Sequence, residues 1–235
     1  MELISMEALV IGKQDLGESD RFITLLNKDH GKIKVLIKGI RKSKNREIYA
    51  TEPLVVGEYK LRKKGETYIN NSFSLIKPYL KIKENFFKLE LSLYLLKLVE
   101  KITYENINCK KLYSISLKAL DYIENTRDKN KILIMFSFFM YKIIEYEGLK
   151  PKILGKTYFN YEKGYIDDSG VGIKLEANQY KYIEFLNFVD IDAVNELKFS
   201  DIEILKTINI LENYLNRHLH LELNIINYFR EEKWT

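Results

Sequence analysis

Up to about residue 80 the apolar positions of this chain recur with a period of two. Met6–Ile11, Arg21–Leu26, Lys32–Ile40, Leu54–Leu61 and Thr67–Leu75 are runs rich in β-branched and aromatic residues. Gly12, Gly17, Gly31, Pro53 and Gly65 fall at or between their ends, as turn-forming residues should. The third run alternates cleanly: Lys32, Lys34, Leu36 and Lys38 share one face, and Ile33, Val35 and Ile37 the other. After Pro78 the period becomes 3.6. Amphipathic helices are predicted over 84–103, 112–124, 131–147, 176–188, 201–215 and 219–229. The third is apolar on most sides, with Met135, Phe136, Phe138, Phe139, Met140 and Tyr141, and is expected at the centre of a bundle.

Five short strands in about 80 residues predict a small closed barrel, an OB-fold first and an SH3-like barrel second. The fold class is thus α+β: a five-stranded N-terminal OB-fold barrel followed by an α-helical C-terminal domain. The division is expected at residues 1–80 and 81–235, good to about four residues. Between 148 and 172 the helical pattern breaks into a stretch with five of the eleven glycines, read as a small irregular or β insert.

Composition then narrows the chemistry. Hydrophobic residues make up 46% of the 235, ample for a packed core. The lone cysteine, Cys109, can make neither an internal disulfide nor a cysteine-based zinc site. The apolar run Ile132–Ile144 is interrupted by Lys142 and is too short for a membrane span, which needs roughly 18 residues. The first ten residues hold Glu2 and Glu7 and no base, unlike a signal peptide, so a cytoplasmic protein is expected.

The net charge of +5 is unevenly spread. Residues 1–82 carry 12 Lys and 4 Arg against 10 Asp plus Glu, a net of +6, which leaves the other 22 bases and 23 acids at −1. A basic module beside a neutral scaffold fits that distribution. The excess peaks in Gly31–Arg46, which holds seven bases and no acid. Lys32, Lys34, Lys38, Arg41, Lys42, Lys44 and Arg46 are therefore candidate phosphate contacts, with Arg21, Arg62, Lys63 and Lys64 as outer members. Arg21 has a structural alternative, an ion pair with Asp20 or Glu18 at the barrel mouth. Tyr49, Tyr59, Tyr68 and Phe73 are candidate stacking platforms, half of them expected in the core. A solvated edge protected by lysines is the competing explanation of the basic run.

Catalytic constellations are missing. Gly155-Lys156-Thr157 would end a phosphate loop only with glycine at position 150, where Lys150 stands. Asp167 and Asp168 lie between Gly164 and Gly170, where aspartates cap turns. His30, His218 and His220 do not assemble into a triad or a metal site, and Cys109 is expected as a helix-end bystander.

Three signatures occur in order: Gly17-Glu18-Ser19-Asp20-Arg21, Gly31-Lys32, and Lys38-Gly39 running into Arg41-Lys42-Ser43-Lys44-Asn45-Arg46. Tyr214-Leu215-Asn216-Arg217-His218-Leu219 sits near the other end. In these motifs the chain resembles the bacterial RecO family of recombination mediators. The resemblance implies a non-enzymatic DNA repair protein without a cofactor that binds single- and double-stranded DNA and anneals complementary strands. It further implies that the protein engages the acidic tail of single-stranded DNA-binding protein (SSB) and, with RecR, helps to load RecA, acting in the cytoplasm at the nucleoid. Many members hold zinc with four cysteines in the insert; this insert has none, so zinc is not expected and packing must hold it together. An OB-type RNA-binding module, a protein-interaction scaffold and a cryptic nuclease are the alternatives.

Overall fold

The computed structural model describes residues 3–43, 46–65, 67–188 and 198–225, the side chains at 46 and 47 aside. The described residues fall into two compact units, divided between Asn125 and Thr126.

In the first unit β1 (Leu3–Leu16), β2 (Asp20–Asn27), β3 (Gly31–Ile37), β4 (Val55–Lys64) and β5 (Thr67–Pro78) close into a barrel in the order β1-β2-β3-β5-β4. Every pairing is antiparallel except β3 with β5. This is an OB-like barrel, and the five expected runs each supply one strand. β3 stops three residues short of the expected Ile40: Gly39 adopts a left-handed φ of 68°, and Ile40–Lys42 forms a 3-10 turn. The alternation read from β3 is real, since Ile33, Val35 and Ile37 are buried with Met6, Ala8, Val10, Ile23, Leu25, Tyr59 and Leu61 inside the barrel. Each such buried side chain contributes about 1.5–3 kcal/mol. Exposed ion pairs contribute at most about 1 kcal/mol, so the interior, not the charged surface, holds the barrel closed.

Residues 80–125 are helical, with α1 (Leu80–Lys83), α2 (Phe86–Ile102) and α3 (Lys110–Asn125), yet they belong to the barrel's unit. The period changes near residue 80, whereas the compact division comes between Asn125 and Thr126. The reason lies on the outside of the barrel. Leu9 and Leu26, directly paired across β1 and β2, are fully buried although their strand neighbours Val10 and Leu25 point inward. Helices α2 and α3 supply that cover, with α2 against β1 and α3 against β2. The loop between them is bonded to the β2–β3 turn through Cys109 N to Lys28 O, Asn106 N to His30 O and Lys32 N to Tyr104 O. Gly31 makes this possible: at φ 67°, an added Cβ would lie 2.3 Å from Tyr104 O and 2.6 Å from Ile107 O, both main chain.

The second unit is built on α4 (Lys129–Tyr146), whose residues from Ile132 to Tyr141 are all buried, as expected of a bundle centre. α5 (Ala177–Phe188) and α6 (Asp201–Leu219) pack on it. Asp128 caps α4, and Ser200 with Glu203 forms a capping box on α6. The helix expected from Leu219 does not begin there: α6 runs through Leu219 and ends on His220, left-handed at φ 51°, residues 221–224 are non-helical, and Ile225 is helical. Its remainder, 226–229, lies outside the described residues. The insert is a four-stranded sheet of very short strands, β6 (Lys152–Ile153), β7 (Tyr158–Asn160), β8 (Tyr165–Asp167) and β9 (Ile173–Lys174), ordered β6-β8-β7-β9.

Candidate nucleic-acid interface

Cross-strand register sorts the expected cations into two groups. Arg21 on β2 lies opposite Asp15 on β1. It is only 5% exposed, and donates from Nε to Asp15 at 2.7 Å and from Nη1 to Glu52 at 2.8 Å and to Thr51 at 2.9 Å. Its partners are therefore Asp15 and Glu52, not Asp20 or Glu18. Asp20, one residue away, points to the other side of the strand and accepts from Gly39 N and Ser19 Oγ, which hold its carboxyl below the ordinary value. Hydrogen bonding from Arg21 likewise lowers Asp15. Burial works to raise Glu52, but Lys13, at 2.5 Å, and Arg21 outweigh it and hold that carboxyl low as well. Arg41 reaches Asp15 at 3.3 Å and donates to Gly17 O; Lys42 reaches Glu18 at 3.3 Å. The G-E-S-D-R turn and the first two bases of the following loop are thus a mutually neutralising corner.

Lys32 also has internal work, donating from Nζ to Glu100 O of α2 at 2.8 Å. Lys34 is exposed, with its ammonium 4.5 Å from the centre of the Phe22 ring. Lys63 lies 5.7 Å from the centre of the Tyr68 ring. Lys38, Arg62 and Lys64 are exposed and make no ion pair among the described residues. All three line a groove of about 640 Å³ beside Ile69, Asn70 and Phe73. Lys44 and the side chain of Arg46 lie outside the described residues.

Of the expected stacking aromatics, Tyr59 and Tyr68 are core, Tyr49 is 63% exposed, and Phe73 lines the groove. Phe22 is absent from the candidates that the sequence suggests. Its signal was there, since in R-F-I-T it shares the outward parity of Thr24, but recognising its place beside Lys34 requires the β2–β3 register. Glu100 and Glu105 are absent too; they border a second recess, of about 490 Å³, next to Lys32 and Lys34 and bring negative charge to one end of the basic column.

Among the described residues, no arrangement suited to catalysis forms around Asp167, Asp168 or Cys109. Asp168 accepts from Lys156 N and Thr157 Oγ1, and Asp167 from Ser169 N, so both carboxylates and the G-K-T stretch serve the insert's turns. The Cys109 thiol is buried and donates to Asn27 O at 3.2 Å; burial and the nearby Asp29 push its pKa up, away from the reactive thiolate.

Two family models match the chain nearly end to end: "Recombination protein O N terminal" over residues 1–79 and "Recombination protein O C terminal" over residues 83–224. The chain belongs to the recombination protein O family. Relatives named DNA repair protein RecO agree: that of Thermoanaerobacter sp. is 27% identical, with 94% of this chain and 95% of the relative aligned. That of Alkaliphilus metalliredigens is 24% identical over 92% and 94%, and that of Bacillus subtilis 25% identical over 64% and 58%. As a RecO-family protein, the chain has its role in DNA repair and recombination.

The RecO zinc site can be tested against this insert. Among the described residues no cluster of three or more His, Cys, Asp or Glu could hold a metal ion, and the insert carries no cysteine at all. Its interior is aromatic instead. Phe159 stacks edge-on against Tyr161 and tilts against Tyr214, each at 5.0 Å between ring centres. The terminal RecO motif completes the cluster, with Tyr214 OH donating to Leu149 O at 2.8 Å and His218 Nε2 at 2.5 Å from Tyr161 O. The residues do not fit zinc. Among the described residues, no helix is long and apolar enough to cross a membrane.

Proposed function

We propose that this RecO-family protein binds single- and double-stranded DNA through its barrel and anneals complementary strands without chemistry of its own. The observation that carries the reading is the trio Lys38, Arg62 and Lys64, cations left without ion pairs among the described residues and gathered on one groove. Lys34 beside Phe22 and the exposed Lys63 extend the surface; Lys44 and Arg46 add their charge by sequence. Annealing without nucleotide hydrolysis needs only that two polyanions be neutralised and held close. Family membership supports the partners: RecR, the acidic tail of SSB and, through them, RecA on SSB-coated DNA, in the cytoplasm at the nucleoid.

Fluorescence anisotropy of a labelled single strand across a salt series tests the DNA reading. Replacing Lys38, Arg62 and Lys64 with Gln should weaken binding and reduce the log–log salt slope by about two, three phosphate contacts at roughly 0.7 each. An unchanged slope would remove the groove from the DNA path.

A further inference from the structure

The groove carries more than charge. The ladder between β3 and β5 consists of two pairs, Val35 with Tyr68 and Leu36 with Ile69. Beyond it the strands part: Ile37 ends β3 on the groove, the chain leads on into Gly39 and the 3-10 turn, and the β5 stretch Asn70–Phe73 borders the groove unpaired to β3. The opening measures about 640 Å³, within the roughly 300–1,000 Å³ of small-ligand pockets and far too small for a duplex. Its lining is mixed. Ile69 and the half-buried Phe73 offer apolar surface, while Lys38, Arg62 and Lys64 stand beside them. A polyanion bound by phosphate contacts alone has no use for the apolar wall. A nucleotide uses both the wall and the charges.

We propose that this groove is a base-accepting subsite: it takes one unpaired base of a single strand against Phe73 and Ile69, with the three cations on the flanking phosphates. The inference rests on the DNA-binding reading and deepens it. Paired bases stay stacked in a duplex and cannot enter, so the subsite separates single strands, gaps and frayed ends from intact duplex. Holding one base leaves the neighbouring bases free to find a complement, which annealing requires.

Two labelled hexamers of equal charge test this on the intact chain, one of deoxycytidine and one of abasic tetrahydrofuran residues. The base-bearing hexamer should bind about tenfold tighter, the effect of one stacked base, with the same salt slope for both. Phe73→Leu keeps an apolar side chain in place and should erase most of that difference, whereas Phe188→Leu, at an exposed aromatic of the second unit, should leave it intact. Equal affinities of the parent for the two hexamers would overturn the subsite, as would a difference indifferent to Phe73→Leu. The comparison of the two hexamers on the parent is free of any folding defect in a variant. A parent that binds neither hexamer at low salt would overturn the DNA reading and the subsite together, while salt-sensitive but base-blind binding would overturn the subsite alone.

Discussion

Two parts of the barrel carry similar numbers of bases and use them in opposite ways. At the β1–β2 corner Lys13, Arg21, Arg41 and Lys42 meet Asp15, Glu18 and Glu52. Along the groove Lys38, Arg62 and Lys64 meet no acid within ion-pair distance among the described residues. Of the N-terminal excess of +6, the corner's four bases and three acids supply only +1 and the groove's three bases +3. Only the second is available to an outside polyanion at little desolvation cost, because the first would have to surrender internal partners. Net charge measures how basic a region is; the cross-strand register decides how much of that charge can leave home.

The largest test of this contrast is Arg21→Ala. Arg21 is nearly sealed from solvent, but Asp15 and Glu52 remain partly exposed and can rehydrate, so the loss should be about 3 kcal/mol in urea unfolding. DNA affinity per folded molecule should hold; a fallen salt slope with unchanged stability would move Arg21 into the interface. Next in size, Arg41→Gln with Lys42→Gln should lower the salt slope by less than about one unit, against about two for the groove triple. Equal losses would erase the distinction between the corner and the groove.

Acid should weaken the corner. Asp15 and Glu52 titrate below their ordinary values of 3.8 and 4.5 in the folded chain. Their contribution to stability is therefore complete above those values and lost as the pH falls through the lowered ones. Thermal melts of the parent should fall below about pH 4.5, and Glu52→Gln should flatten that decline. The smallest effect expected lies in the other unit. Tyr214→Phe removes the hydrogen bond to Leu149 O and should cost about 1 kcal/mol, whereas a zinc chelator should leave the melting temperature of the parent unmoved.

Much of the architecture was legible because it is written in periods. The alternation of Lys32 to Ile37 located β3 and assigned its faces, and the apolar stretch from Ile132 located the bundle centre. The unit boundary was not legible as a period, since α2 and α3 look like any amphipathic helices. Its trace is Ala8-Leu9-Val10-Ile11, four apolar residues in a row where a one-sided strand would alternate. The insert's strands, two or three residues each, are too short to show any period. At the interface, the bases were legible but their availability was not: Asp15 opposite Arg21, Phe22 beside Lys34 and the parting of β3 from β5 are all facts of register.

The clasp between the β2–β3 turn and the Tyr104–Cys109 loop has a consequence for synthesis on the ribosome. Translation releases all five strands before α2 and α3, so a newborn barrel can close while Leu9 and Leu26 still face the surrounding water. That apolar ledge stays uncovered until the α2–α3 hairpin has emerged and its loop has docked over Gly31. A nascent chain whose β5 has left the ribosome while α3 has not therefore presents an adhesive apolar ledge, a form open to chaperone binding.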